Sequence, residues 1–200
     1  RVTAGIAGEH VRTINSHGVI AVSRTDNEIT PADVNRAIEA ARAVAIPVDR
    51  EIIHVIPQEY NVDDQLNIKN PTGMTGTRLE VEAHIVTASI TTAKNIYRAV
   101  ERCNLAIENV VLESLALSNV LLTEDETGSG VILIDIGGEI TNVSVFFDGT
   151  IRHTSVVPLG GKNITDDIAI GLRTSPLESE NLKIAYGAAM KSFVDFGEMI

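Results

Sequence analysis

The sequence predicts an α/β protein, and three observations carry that expectation. Val131 to Ile134 form a β-branched and leucine run, as in a strand covered on both faces, and Val143, Val145 and Phe147 alternate with Ser144 and Phe146 in a second strand. Thr30-Pro31-Ala32-Asp33 supplies a capping hydroxyl, a proline at the first helical position and an acid near the positive helix end. Val34, Ala37, Ile38, Ala41 and Ala45 follow at helical spacing until Pro47 stops them. Beyond that helix, strand-like and helix-like patterns keep alternating, as in sheets with helices packed on them.

In chain order, Val2 to Ile6 reads as a strand and Val19 to Val22 as the first strand of a unit of its own. After the helix capped by Thr30 come two more strands, Glu51 to Val62 and Arg78 to Ile90. The loop that joins them, Asp63 to Thr77, holds Pro71, Gly73 and Gly76 and is longer than a minimal turn needs. It is either a contact surface or a plain flexible excursion. Residues 1 to 88 thus read as one strand-helix-strand-strand unit, with its own apolar helix face and no catalytic cluster. From Thr91, Ala93, Ile96, Tyr97 and Val100 share a helical face that ends near Asn104. Ala106 to Leu112 reads as a strand, Glu113-Ser114-Leu115-Ala116 opens a helix, and Glu124 to Gly130 links it to the strand at Val131. Asp148-Gly149 is a hairpin signal, with Ile151 to Val157 as the return strand. Gly160-Gly161 precedes a helix with Ile164, Ile168 and Leu172 on one face, and Ser175-Pro176-Leu177-Glu178 caps another.

Bulk properties narrow the function classes. The 200 residues, 44% hydrophobic, suffice for one large domain or two small ones. A net charge of -11 argues against a nucleic-acid surface and against direct attraction to anionic lipid, both of which need clustered Lys and Arg. Cys103 stands alone, so an internal disulfide or cysteine metal cluster is not expected, in keeping with a reducing compartment. The five histidines lack ligand spacing and read as structural. The chain opens at Arg1 without Met and stops at Ile200 within an apolar pattern, so a fragment of a longer protein is expected.

The chemistry concentrates between residues 135 and 141. Gly137 and Gly138 allow a tight turn and remove side chains that would keep a phosphate from backbone N–H groups. Asp135, at the strand end, is placed to hold a divalent cation directly or through water, and Thr141 offers a hydroxyl to a phosphate oxygen. By spacing alone the same residues also describe an ordinary hairpin with a glycine turn. Gly160 and Gly161 either bring N–H groups to a phosphate or form a loop-to-helix joint.

Asp135-x-Gly137-x-x-x-Thr141 resembles the second phosphate motif of the superfamily that holds actin, the sugar kinases and the heat-shock chaperone ATPases. With Leu122-Thr123-Glu124-Asp125-Glu126 it is similar to the bacterial cell-division FtsA family. His54-Val55-Ile56-Pro57-Gln58-Glu59-Tyr60 and Ile68-Lys69-Asn70-Pro71-Thr72-Gly73-Met74-Thr75-Gly76 resemble a paired signature of that family's small inserted domain. The resemblance implies an actin-like (ribonuclease H-like) fold fragment with an inserted α+β domain. Residues 1–88 would be the inserted interaction domain, 89–129 part of the first actin-like lobe, and 130–200 the start of the second, with the phosphate turn.

The resemblance further implies ATP and Mg2+ as ligands, with Asp135 as the metal residue and Gly137, Gly138, Thr141, Gly160 and Gly161 around the phosphates. Glu113, at the start of its helix, would order the metal-bound or attacking water as the catalytic residue; its plain alternative is a solvated acid favoured by the helix dipole. Glu180-x-Leu182-Lys183-x-x-Tyr186-Gly187 resembles the chaperone ATPases, where such a pair lies against the nucleoside, although Glu180 and Lys183 also describe an ordinary surface ion pair.

The implied function is an ATP-binding scaffold that self-assembles into filaments and ties a tubulin-like division ring to the cytoplasmic membrane. Its place would be cytoplasmic, peripheral on the inner face of the membrane at the division site. Later division proteins would meet residues 1–88, and the membrane would be reached only through a C-terminal amphipathic helix, which these 200 residues do not contain. The first phosphate motif and the adenosine motif are not among them either. Glu139, Ile140 and Asn142 depart from the family's Asp-Ile-Gly-Gly-Gly-Thr-Thr-Asp run. A carboxylate at Glu139 would repel a phosphate unless it turns away or meets the metal, so binding is implied more firmly than hydrolysis. The alternatives are a pilus-assembly scaffold, or a sugar-kinase-like or chaperone-like ATPase of the same superfamily.

Overall fold

The computed structural model describes residues 1–23 and 25–194, so the apolar run toward Ile200 lies outside the described residues. Two compact units emerge, one of Arg1–Asp135 with Asn142–Val157 and the other of Ile136–Thr141 with Pro158–Ile200. The first unit is built around a four-stranded antiparallel sheet of order β2-β5-β3-β4, with β2 at Arg12–Ala21, β3 at Arg50–Val62, β4 at Gln65–Ile68 and β5 at Arg78–Ser89. β5 is the centre, and Leu79, Val81, Ala83, Ile85, Val86 and Ala88 on it are fully buried. Both faces of the sheet are covered, which is why apolar residues of either parity occur along β5.

On one face lies α1 (Pro31–Arg42), whose Ala37 and Ala41 join Ile29, Tyr60, Val62 and Leu79 in a single cluster. Thr30 caps it as expected, accepting from the Asp33 N–H while the Asp33 carboxylate accepts from the Thr30 N–H at 2.9 Å. The close seat depends on Gly18 of β2, where an added Cβ would lie 2.3 Å from the Ala37 carbonyl oxygen. The other face meets a parallel pair, β1 (Val2–Ile6) with β6 (Ile107–Leu112), together with α2 (Ile90–Arg102) and α3 (Glu113–Leu121). Ile6, Val11, Val86, Ala88 and Leu112 form the cluster there. A third sheet, β7-β8-β9 (Val131–Ile136, Thr141–Phe147, Thr150–Val157), contributes Leu133, Phe146 and Ile151 to a further cluster with Ile56 and Leu115.

Several sequence expectations need correction. β2 begins at Arg12, seven residues before Val19, and residues 65–68 of the long loop form β4, paired to β3. Glu124–Ser129 is a short helix, α4, closed by a capping box between Thr123 and Glu126, where a plain link was expected. β7 is covered on one face only: Leu133 is 9% exposed, but Ile132 and Ile134 are 60% and 57% exposed. A β-branched run fixes the strand but not which of its faces meets a neighbour. In β8 the buried side is Ser144 and Phe146, while Phe147 is 48% exposed.

His84 on β5 is 1% exposed, with Nδ1 2.7 Å from Asn15 Oδ1 and Nε2 2.8 Å from Thr154 Oγ1. Burial first, and then the neighbouring His153, lower its pKa from 6.5 to about 4. A base held below its unfolded pKa stabilises the fold fully above the unfolded value and loses that contribution as pH falls through the folded one. Burial also lowers His10 and His54, which act in the same direction. Unfolding stability of the chain is therefore expected to drop by about 3 kcal/mol on account of His84 between pH 6.5 and 4. Urea titrations across that window check this: His84→Gln, which keeps polar contacts without a titrating ring, flattens the profile.

Candidate functional site

The second unit contains the glycine turn and two helices, α5 (Gly161–Leu172) and α6 (Pro176–Tyr186), followed by one 3-10 turn at Lys191–Phe193. The Gly137 N–H donates to the Ile140 carbonyl at 2.9 Å, closing the turn. The Gly161 N–H donates to the Gly137 carbonyl at 2.9 Å and the Lys162 N–H to the Gly138 carbonyl at 2.7 Å. Gly160 sits under this pair of bonds. A Cβ there would lie 2.6 Å from both the Gly137 and Gly138 carbonyl oxygens, a distance no real side chain adopts. The glycines at 160–161 thus join loop to helix by binding the carbonyl side of the turn. Their own donors are spent: the Gly160 N–H meets Asn163 Oδ1 at 2.8 Å. Among the described residues, the N–H groups of Gly138, Glu139 and Ile140 have no protein acceptor, and Gly138 and Glu139 are exposed.

Thr141 Oγ1 donates to the Leu159 carbonyl at 2.8 Å, which fixes the chain leading into Gly160. Glu139, where the added carboxylate raised a question, meets Lys162 Nζ at 3.3 Å, an exposed pair that offsets its charge.

Lys183 and Glu180, three residues apart on α6, do more than pair with each other at 2.7 Å. Lys183 Nζ also donates to the Gly161 carbonyl at 3.0 Å and to Thr165 Oγ1 at 2.9 Å, and the Thr165 hydroxyl donates to Glu180 Oε2. The hydrogen bonds from Lys183 and then Thr165 hold the Glu180 carboxyl below its ordinary value, so it stays ionised. Thr165 is 5% exposed and is the hub that sequence reasoning missed. Its position one helical turn after Gly161 was the available signal. Beside Lys183, the side chains of Ile168, Leu172, Leu182 and Tyr186 line an open apolar recess of about 450 Å³.

Glu113 and Asp135 lie in the first unit. Glu113 is the first residue of α3, exposed, with the helix start directly after β6. Asp135 is half-buried at the end of β7 and accepts a hydrogen bond from Asn142 Nδ2 at 3.1 Å. Asn142 stands where the resembling motif carries an acid, so one carboxylate occupies this position with an amide donor beside it. No group of three or more His, Cys, Asp or Glu side chains is gathered for a metal among the described residues. A cation here would depend on Asp135 together with oxygens from ligand or water.

The contrast between the two glycines gives a direct check. Gly160→Ala is expected to destabilise the chain by about 1–3 kcal/mol, because backbone carbonyls, not flexible side chains, must move. At Gly161 a Cβ meets only Lys183 Nζ at 3.4 Å and the Gly137 oxygen at 3.8 Å. Gly161→Ala is therefore expected to leave stability within about 1 kcal/mol. Urea melts of the two variants decide this, and equal losses would contradict it.

Comparisons with known proteins fit this architecture. Residues 8–87 match the family model described as the SHS2 domain inserted in FTSA, and residues 132–199 match the model for cell division protein FtsA. The chain is 44% identical over 196 residues to cell division protein FtsA of Pseudomonas aeruginosa, covering 98% of this chain and 46% of that protein. It is 45% identical over 199 residues to the FtsA of Neisseria meningitidis, covering 100% of this chain and 48% of the relative. The chain thus spans about half the length of the curated relatives it matches. Among solved structures, the type IV pilus biogenesis complex PilM-PilN superposes with a TM-score of 0.65 over 92% of this chain and 50% of that one, at 17% identity, a likeness of fold alone. The fold is actin-like α/β and, over the residues it spans, the chain belongs to the FtsA cell-division family.

Proposed function

We propose that the chain serves in an FtsA-like cell-division scaffold that binds ATP with Mg2+, self-assembles into filaments and links a tubulin-like division ring to the inner face of the cytoplasmic membrane. Family membership supports the division role. The observation that carries the nucleotide reading is the hydrogen-bonded set in the second unit, which joins Gly137, Gly138, Gly160, Gly161, Lys183 and Glu180, with Thr141 anchoring the approach.

The residues present suit a nucleotide. Glycines expose backbone where a phosphate needs N–H donors, and among the described residues the N–H groups of Gly138, Glu139 and Ile140 on the turn have no protein acceptor. Lys183, paired with Glu180, borders an apolar recess of the kind a nucleoside fills. Asp135 would hold Mg2+, which supplies charge neutralisation at the phosphates when bound. Glu113 would order a water for hydrolysis. With Gly160 and Gly161 engaged by the turn, their part in phosphate binding is to hold the Gly137-Gly138 segment in place.

In this reading residues 1–88 form the interaction domain that meets neighbouring subunits and later division proteins, 89–129 belong to the first actin-like lobe and 130–200 to the second. A pilus-assembly role shares the fold, but 17% identity to PilM against 44% to a division protein favours division.

Calorimetry with Mg-ATP on the protein in its full reading frame tests the site. Asp135→Ala is expected to weaken affinity at least about tenfold, a loss of roughly 1.4 kcal/mol, with the melting curve unchanged. An unaltered affinity would remove Asp135 from the metal role.

A further inference from the structure

We propose that His54 is a positioning residue for Glu113: its imidazole caps the start of α3 from a neighbouring strand, and through it residues 8–87 set where Glu113 stands. The proposal rests on the reading of Glu113 given above.

The joint between β6 and α3 has no loop. β6 ends at Leu112 and α3 begins at Glu113, with Leu112 itself as the residue flanking the helix. A leucine has no side-chain acceptor, so Leu112 makes no cap bond with its own side chain. Leu112 is 5% exposed, so its N–H is hidden from water and needs a partner. That partner is His54 Nε2, 2.9 Å away, from a residue 58 positions earlier in the chain. An amide N–H only donates, so Nε2 is the unprotonated nitrogen and the ring is neutral, with its proton on Nδ1. The lowering of the His54 pKa by burial agrees with that state.

The strand carrying His54 is shaped for this contact. Along β3, Ile52 pairs with Thr87 and His54 with Val86, so Ile53 is an extra residue with no counterpart on β5. Strict alternation would place residues 53 and 56 on opposite faces. Ile53 and Ile56 instead both pack against the cluster that contains Leu112. A bulge of this kind re-aims side chains out of the regular pleat, and here it brings His54 to the helix start. A second bulge on β3 falls at Gln58, between Pro57 and Glu59, and Gln58 Nε2 reaches the Ile151 carbonyl at 2.7 Å. Two polar side chains of one strand, His54 beside the first irregularity and Gln58 at the second, therefore bond backbone elsewhere in the unit. The His54 contact is the one next to a candidate reactive group.

Amide exchange on the 200-residue chain tests the cap without any nucleotide. His54→Leu is expected to speed exchange at Leu112 at least about tenfold, as loss of one buried hydrogen bond implies, while Val81 and Ile85 on β5 keep their rates. His54→Gln, whose side-chain oxygen reaches as an acceptor, is expected to restore protection. Should the leucine variant unfold, the glutamine variant decides: retained protection at Leu112 supports the cap and lost protection overturns it. Unchanged exchange at Leu112 in a folded His54→Leu chain also overturns it. In the full reading frame, His54→Leu and Glu113→Gln are each expected to lower ATP turnover several-fold with Mg-ATP affinity kept, and the double variant to be no slower than the slower single. Normal turnover in His54→Leu beside slowed turnover in Glu113→Gln overturns the positioning role. Normal turnover in Glu113→Gln overturns the reading of Glu113 and leaves the exchange result to stand on its own.

Discussion

The second unit depends on two main-chain hydrogen bonds, from Gly161 and Lys162 at the start of α5 to the carbonyls of Gly137 and Gly138. They exist because residue 160 has no side chain: the space a Cβ would take is occupied by those same two carbonyls. The first N–H groups of a helix usually wait for a cap, water or an anion. Here the turn itself caps α5, so helix and turn form one object. Among the described residues, the N–H groups of Gly138, Glu139 and Ile140 are then left without a protein acceptor. Lys183 extends the same object by bonding the Gly161 carbonyl and tying α6 to α5 through Thr165. An ion pair this exposed would contribute little alone. With two further acceptors on the same ammonium it fixes the relation of the two helices beside the apolar recess.

In the first unit the constraint is different. The four-stranded sheet is buried on both sides, so each covering layer must find its own polar partners through the sheet's irregularities. His54 and Gln58 serve that need, and His84 does so at the sheet centre through Asn15 and Thr154. β3 carries two bulges, at Ile53 and Gln58, on either side of the run His54-Val55-Ile56-Pro57.

Much of the fold was legible in the chain. The cap at Thr30, the strands β3 and β5, and the cap at Ser175 follow from local chemistry that tertiary contacts do not override. The start of β2 was not legible, because Arg12, Thr13, Asn15, Ser16 and His17 are polar residues on an edge strand, paired only through β5. β4 was hidden by the asparagines and glycines around it, and α4 by having six residues and no buried face. At the site, spacing located the turn and the Glu180–Lys183 pair. It did not reveal that the donors of Gly160 and Gly161 are already used, nor that Thr165 is the hub, since both depend on how α5 docks on the turn. The same holds for Asn142, whose amide beside Asp135 is a contact between strands.

The central claim is that turn and helix are one hydrogen-bonded object. Residue-resolved amide exchange of the unliganded chain tests it most directly. Slow exchange at Gly161 and Lys162 beside fast exchange at Gly138 is the result this account predicts, and fast exchange at Gly161 and Lys162, matching that at Gly138, would contradict it.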